Sequence, residues 1–577
     1  MIQTRYELTV YLRTVSPLHS GGIDELPGRT GEETTPRRFA VDGTGKPVLT
    51  GRSIKGALRS ACERSARLSP AERMALWGGV GNEKEPTRAS ALTFHVVSLA
   101  GLVEKGELPK RTGIAVDRYW GSAGDSALFQ HEYVPTGTTL ELRISATAWR
   151  PESSNGTGTD APKEPTPEQV EELLATILGV LKQGQVRFGA RTGAGWGQVE
   201  INSSHPQRAW HLTKAELGTT KGLVSLLGGG EEVPIEPREV APARKLRATV
   251  TWSSPSGILV AEDPPDEETL KQRAEEKQRA KEKQAAIQPG ENPTTYPTKP
   301  LMSLTLDGQE RLVLPGSSVR GALRSRASRI ARTILLSQSG EEARAQWATL
   351  GVHAQLAADP SLVRDLFGTT EQRGAVTVFD TLAKAQGTYR EVMHNAGDRW
   401  SGGVSEGALY SEYVYDVDWN DIVVEIDVDR LAARGRRERG SAGADGLGDR
   451  ARAAWCLMGL VLAELCTGSL PLGSRGTRGL GEVAVQKLVI EGPDDVVPGG
   501  PWDLQGEPPS DRGAGAGAVD GASAEKAGVA IAKQLLEKLR EVDASIRRES
   551  MDAGWSEFLE ESDSEDEQVD ENQEARS

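Results

Sequence analysis

LTGRSIKGALRS at Leu49–Ser60 returns as LPGSSVRGALRS at Leu314–Ser325, 265 positions later. Two further segments recur in the same order. DRYWGSAGDSALF at Asp117–Phe129 matches DRWSGGVSEGALY at Asp398–Tyr410 with a shift of 281. FGARTGAGWGQV at Phe188–Val199 matches LGSRGTRGLGEV at Leu472–Val483 with a shift of 284. Segments that recur in order at nearly constant spacing indicate two copies of one domain.

Working outward, each copy opens on a strand-like alternation, from Tyr6 and from Leu246. An acidic loop and a short strand then lead into the repeated helix, for which Ser53 and Ser318 are the expected N-caps. A β-rich stretch, a second helix near Pro167–Gln183 and Arg450–Cys466, the Gly-rich loop and a last strand complete each copy. The order β-α-β-β-α-β reads as an α+β chain of two ferredoxin-like domains. Pairing Pro17 with Pro255 gives a shift of 238 and places Gly257 opposite His19. It also leaves 27 extra residues in the second copy, assigned to the charged segment Asp263–Gly290, expected as a solvated helix.

The expected layout is a first domain over 1–205, a linker over 206–243 and a second domain over 244–491 with the insertion at 263–290. A flexible linker over 492–524, an amphipathic helix over 525–550 and a disordered acidic tail over 551–577 follow. Further linkers are expected at Arg150–Pro165 and Ala433–Asp449. The chain of 577 residues has a net charge of −15, yet Ser556–Ser577 carries ten acidic residues and one basic, leaving about −6 for the body. A local basic groove is compatible with that balance. No apolar run approaches the ~20 residues of a membrane span, and the N-terminus lacks a signal-peptide pattern, so the reading is cytoplasmic with no membrane partner. Cys62, Cys456 and Cys466 form no CxxC pair and read as buried free thiols.

Three motifs carry chemistry. The Gly-rich loops (Gly189, Arg191, Gly193, Gly195 and Gly197; Gly473, Arg475, Gly476, Arg478, Gly479 and Gly481) can turn amides toward a phosphate while arginine adds a bidentate donor. Their helix–loop–strand order excludes Walker and Rossmann readings. Lys55 and Arg59, like Arg320 and Arg324, share a helix face near a start that favours anions. Arg118, Tyr119 and Trp120, like Arg399 and Trp400, suit stacking on single-stranded RNA; the competing role is a hairpin whose Trp plugs a core.

Strand, G-x-S-x-K/R-G-x-x-R helix, Asp-Arg hairpin and terminal Gly-rich loop, twice over, resemble the RAMP superfamily of CRISPR-associated proteins. The closer likeness is to the backbone subunit of type III effector complexes, in a fused double form like the type III-D branch. The resemblance spans Tyr6–Ile201 and Leu246–Glu491. It implies a modified RNA-recognition palm and a thumb hairpin near His95–Gly121 and Lys384–Gly402. Its implied partners are guide RNA, complementary target RNA and other effector subunits. The RNA-binding set it implies is Ser53, Lys55, Arg59, Arg118, Trp120, Gly189, Arg191, Gly193, Gly195, Ser318, Arg320, Arg324, Arg399, Trp400, Gly473, Arg475, Arg478 and Gly479.

Target cleavage in the family uses an aspartate in the loop before the G-x-S helix. Here that place falls near Thr34, with Glu33 beside it and Asp24, Glu25 and Glu32 close by in sequence. Asp24 and Glu33 are the expected catalytic and metal-holding pair, with Mg2+ or Mn2+. In the second copy Thr298 takes the place, so cleavage is expected there less than in the first. His19, His95, His131 and His394 are further candidate bases. His19 stands where guide-processing endonucleases of the superfamily place catalytic histidines. Two alternatives stay open: such an endonuclease, and a non-catalytic adaptor docking through Glu525–Arg548.

Overall fold

A computed structural model describes residues 2–21, 37–65, 68–80, 87–103, 108–116, 123–150, 164–206, 208–261, 300–351, 354–355, 359–369, 371–385, 388–398, 400–438, 447–506, 521–546 and 554–559. The chain forms two compact units, one built on Met1–Ala115 with Ala123–Ala243, the other on Arg244–Ser303 with Glu310–Ser577. The insertion expected at 263–290 and the tail from 560 onward lie outside the described residues, whereas Gly554–Leu559, expected within the disordered tail over 551–577, form a short 3-10 turn with Phe558 and Leu559 buried in the core of the second unit.

In the first unit, β1 (Ile2–Thr14), α1 (Gly51–Ser65), β2 (Leu92–Phe94), β3 (Thr139–Arg150), α2 (Pro167–Lys182) and β4 (Val199–Ile201) follow the repeat order. β1 pairs antiparallel with β3 on one side, Leu8 opposite Ile144, and with β4 on the other, Leu12 opposite Ile201. β2 closes the far edge against β3. That is the β4-β1-β3-β2 order of a ferredoxin-like sheet. Tyr6, Leu8, Val10 and Leu12 alternate along β1 and are all buried with Leu173, Leu174, Ile177 and Leu178 of α2 in one core. α2 starts where its sequence says it should: Thr166 and Gln169 form a reciprocal capping box ahead of Pro167.

The stretch 206–243, expected as a linker, instead extends this unit. β5 (Trp210–Glu216) pairs with the first half of β1, and β6 (Glu231–Val233) pairs with β5. β4 is too short to cover β1 alone, so the free ladder groups are satisfied by the following chain.

The second unit repeats the plan with β7 (Lys245–Ser253), α3 (Gly316–Gln338), β8 (Val376–Val378), β9 (Ile422–Asp427), α4 (Leu447–Cys466) and β10 (Ala484–Glu491). β7 lies between β9 and β10, and β8 edges β9. β11 (Trp502–Gln505), inside the expected 492–524 linker, pairs with β10. α5 (Gly521–Ala544) buries Ile531, Leu535, Leu539 and Val542 in the core of this unit. A Cβ on Gly459 of α4 would lie 2.4 Å from Leu539 Cδ1, so the two helices meet at close quarters.

The helix starts differ from expectation. α1 begins at Gly51 and α3 at Gly316, so Ser53 and Ser318 sit inside the first turn and are not caps. Thr50 Oγ1 accepts from the Ser53 N–H at 3.4 Å, and Asp380 Oδ1 accepts from the Gly316 N–H at 2.8 Å. The motif glycine is forced by packing: a Cβ would lie 2.1 Å from Phe94 O at Gly51 and 2.3 Å from Val378 O at Gly316.

Candidate nucleic-acid interface

The Gly-rich loops adopt the same backbone in both units. Gly189, Arg191, Gly195 and Gly197 have φ of 77°, 57°, 80° and 79°, and Gly473, Arg475, Gly479 and Gly481 have φ of 85°, 65°, 83° and 80°. The 284-residue shift therefore carries left-handed backbone position for position, an arginine included. A Cβ at Gly197 or Gly481 would stand 2.0 Å from the oxygen of Phe188 or Leu472. Each loop is tied to the segment after the opening strand. Ala190 N–H donates to His19 O at 2.8 Å and Gly197 N–H to Pro17 O at 2.8 Å. In the second unit Ser474 N–H donates to Leu259 O and Gly481 N–H to Gly257 O, both at 2.9 Å. These bonds place Leu259, not Gly257, opposite His19. The Pro17–Pro255 pairing is thus corrected by two residues, because hydrogen bonding rather than proline position fixes the alignment.

Around the first loop, Arg191 Nη1 lies 3.2 Å from His131 Nδ1, and its guanidinium stands 5.2 Å from the Phe129 ring centroid and 5.3 Å from that of Trp196. His131 meets His19 edge-on at 4.9 Å. His19 Nδ1 donates to Glu132 O at 2.7 Å, which settles its tautomer. Burial, then the Arg191 charge, hold His131 down to about 3, and burial likewise lowers His19. Both imidazoles are neutral near pH 7. Around the second loop, Arg475 Nε and Nη2 both reach Glu412 Oε1 at 2.7 Å, and Glu412 Oε2 lies 3.3 Å from His394 Nε2.

The basic pairs on the repeated helix have partners of their own. Arg59 Nε donates to Glu63 at 2.8 Å and Nη1 to Gly78 O at 3.4 Å. Arg320 donates to Phe367 O and, at 3.4 Å, to Val376 O. Arg324 clasps the buried Asp359 through Nε at 3.0 Å and Nη2 at 2.6 Å. Lys55 is partly buried, and burial and then Arg59 lower its ammonium pKa. The second motif glycine behaves differently from the first: Gly56 and Gly321 are exposed, and a Cβ on either would meet nothing within 4 Å.

The hairpins lie where the repeat puts them. Lys110–Val116 pairs with Ala123–Glu132, and Thr388–Gly397 with Val404–Asp416. Trp400 is 97% exposed at its turn, anchored by its N–H to Asp398 Oδ1 at 2.7 Å; it is no core plug. Arg118, Trp120, Arg399, and the candidate catalytic pair Asp24 and Glu33, lie outside the described residues. Among the described residues no group of three His, Cys, Asp or Glu side chains is gathered to hold a metal. The three cysteines are buried free thiols, and no described helix is long and apolar enough to cross a membrane. The residue that sequence reasoning missed is Glu412. Its signal was the 281-residue shift, which sets it opposite His131.

Comparison with known proteins places residues 11–200 and 301–484 under the model of the RAMP superfamily. Among solved structures, a chain from a type III-B Cmr-beta cryo-EM structure in the apo state matches at 15% identity. The match covers 34% of this chain and 95% of that one, with a TM-score of 0.24. No curated protein matches.

Proposed function

This chain belongs to the RAMP superfamily, and from that premise we propose that it is an RNA-binding backbone subunit of a type III CRISPR effector complex. Its two fused domains each grip the backbone of a guide RNA through the Gly-rich loop and present complementary target RNA beside the hairpin. The observation that carries this reading is the left-handed arginine found at the same loop position twice. Such a conformation costs a non-glycine residue about 1 kcal/mol or more, and glycine would remove that cost. Retaining Arg191 and Arg475 there is intelligible if the guanidinium is needed at the loop apex.

The test is binding of labelled single-stranded RNA to the full-length protein over a salt series. Arg191→Gly is expected to hold or raise the melting temperature while weakening RNA binding about tenfold and flattening the salt dependence by roughly one phosphate contact. Unchanged affinity in both Arg191→Gly and Arg475→Gly would overturn the reading.

Cleavage of target RNA by Asp24 and Glu33 with Mg2+ or Mn2+ is a separate proposal. It is tested with guide-complementary RNA in the assembled complex, with Glu33→Ala and Asp24→Ala and with chelator. Chelator-resistant cutting lost in His19→Ala would favour the guide-processing reading instead, to which the edge-on His19–His131 pair lends the support of two neighbouring imidazoles.

A further inference from the structure

The most acidic stretch of the chain starts beside the most basic helix of the second domain. Gly554–Leu559 form a 3-10 turn packed on α3 and α4. Phe558 and Leu559 are buried there, and Ser556 Oγ accepts from Nε2 of Gln338, the last residue of α3, at 2.8 Å. Trp555 N–H donates to Asp543 Oδ1 at 2.8 Å, which fixes the turn to α5 as well. The 18 residues that follow, Glu560–Ser577, hold nine acidic side chains and one basic. α3 is the reverse: Arg320, Arg324, Arg326, Arg329 and Arg332 stand among its 23 residues with no acidic residue. Arg324 and Arg332 share Asp359, and Arg326 meets Glu464 at 2.6 Å. Arg329 is exposed, and among the described residues no acceptor meets its side chain.

We propose that Glu560–Ser577 docks along α3 and competes there with RNA, its run of carboxylates standing in for a phosphate backbone. This rests on the reading of the domains as RNA-binding. Reach allows it: at 1.5 Å per residue Arg329 lies about 14 Å, and Arg320 about 27 Å, along the helix from Gln338. A segment of 18 residues extends to about 60 Å. Tethering holds its acidic groups near the helix at an effective concentration on the order of millimolar. Weak ion pairs are then enough to compete with RNA that touches α3 alone, and RNA that also engages the Gly-rich loop displaces the segment. The second domain thereby discriminates against loosely held RNA. Attraction between a run of carboxylates and a row of guanidinium groups depends on charge density, not on a particular order of residues. Arg329 is the arginine whose charge is left for the segment to meet.

The experiment uses the full-length protein and a fluorescein-labelled single-stranded RNA of mixed sequence, read by anisotropy over a salt series, with melting curves for each variant. Replacing the nine acidic residues of Glu560–Ser577 by their amides is expected to tighten binding roughly threefold to tenfold at about 50 mM salt, the gain fading toward about 200 mM. The logarithmic salt dependence should steepen by about 0.7 for each arginine released to a phosphate. A chain ending at Leu559 should match the amide variant, and reordering the segment at constant composition should match the wild type. Unlabelled peptide of the sequence Glu560–Ser577, at about 1 mM to match the tether, should compete with RNA for the chain ending at Leu559. Its amide form should not compete, and Arg329→Ala should weaken the competition. Equal RNA affinity in the full-length, amide and shortened forms would overturn the proposal and leave the segment a solvated tail. A gain in affinity without competition by the peptide would also overturn it, since the tail would then only repel RNA at long range. If none of the forms binds RNA, the RNA reading of the domains fails, and the proposal with it.

Discussion

Single residues separate what packing demands from what packing leaves unexplained. Gly51 and Gly316 have no alternative, because any side chain would strike a backbone oxygen. Gly56 and Gly321, five residues on in the same motif, are exposed helix positions with open space around them. Glycine there costs a helix about 1 kcal/mol relative to alanine, and its recurrence in both copies fits close approach by a bound backbone. Gly56→Ala is expected to raise stability by about 0.5–1 kcal/mol and to reduce RNA affinity; a variant that gains stability and binds unchanged would show that the position is merely permissive. His131 gives a pH test. Its folded pKa, about 3, lies below its unfolded value near 6.5, so the unfolded chain takes up the proton first. Stability is therefore full above pH 6.5 and falls as pH drops from there toward 3. Melting temperatures between pH 7.5 and 5 should decline, and His131→Gln should flatten the decline.

At the scale of elements, the repeated helix and the hairpin are expected to differ in how much they give to stability and how much to binding. Arg324 ties α3 to the buried Asp359, which also accepts from Ser328 Oγ at 2.9 Å. Arg324→Ala leaves that carboxylate short of its main cation, so it should lower the melting temperature clearly while costing less RNA affinity than Arg475→Ala. The hairpin has the opposite balance. Trp400 contributes almost no buried area at its turn, and Trp400→Ala should leave the melting curve in place. A base stacked on that ring would be worth about 1–3 kcal/mol, which the same RNA titration reads directly. α5 is structural, in keeping with an amphipathic helix that has a core to cover. Leu535→Ala should destabilise the second unit by about 2–5 kcal/mol, measured by denaturant unfolding, and a result near zero would mean that α5 is peripheral to that core. The adaptor reading, in which this helix is free for a partner, loses its apolar face to α4 and β10.

For the whole molecule, duplication is the fact from which everything else descends, and it was written in the chain. Three recurring segments with nearly constant spacing specify two domains, and strand alternation with helical spacing specifies β-α-β-β-α-β within each. The Gly-rich loops, their arginines and the hairpins were legible for the same reason: local backbone demands are recorded locally, in residue types such as glycine and in order along the chain. Tertiary structure decided what depends on atoms distant in sequence. It turned 206–243 from a linker into two strands with a helix, Thr220–Leu227, between them, because β4 is too short to satisfy the edge of β1. It moved the helix caps from Ser53 and Ser318 to neighbours, since a close glycine contact starts each helix earlier. It shifted the partner of His19 from Gly257 to Leu259, because ladder hydrogen bonds rather than a shared proline set the alignment. It also gave Arg324 to Asp359 and Arg475 to Glu412, pairings across 35 and 63 residues that no spacing encodes. A sequence states which groups are available; only the fold states which of them meet.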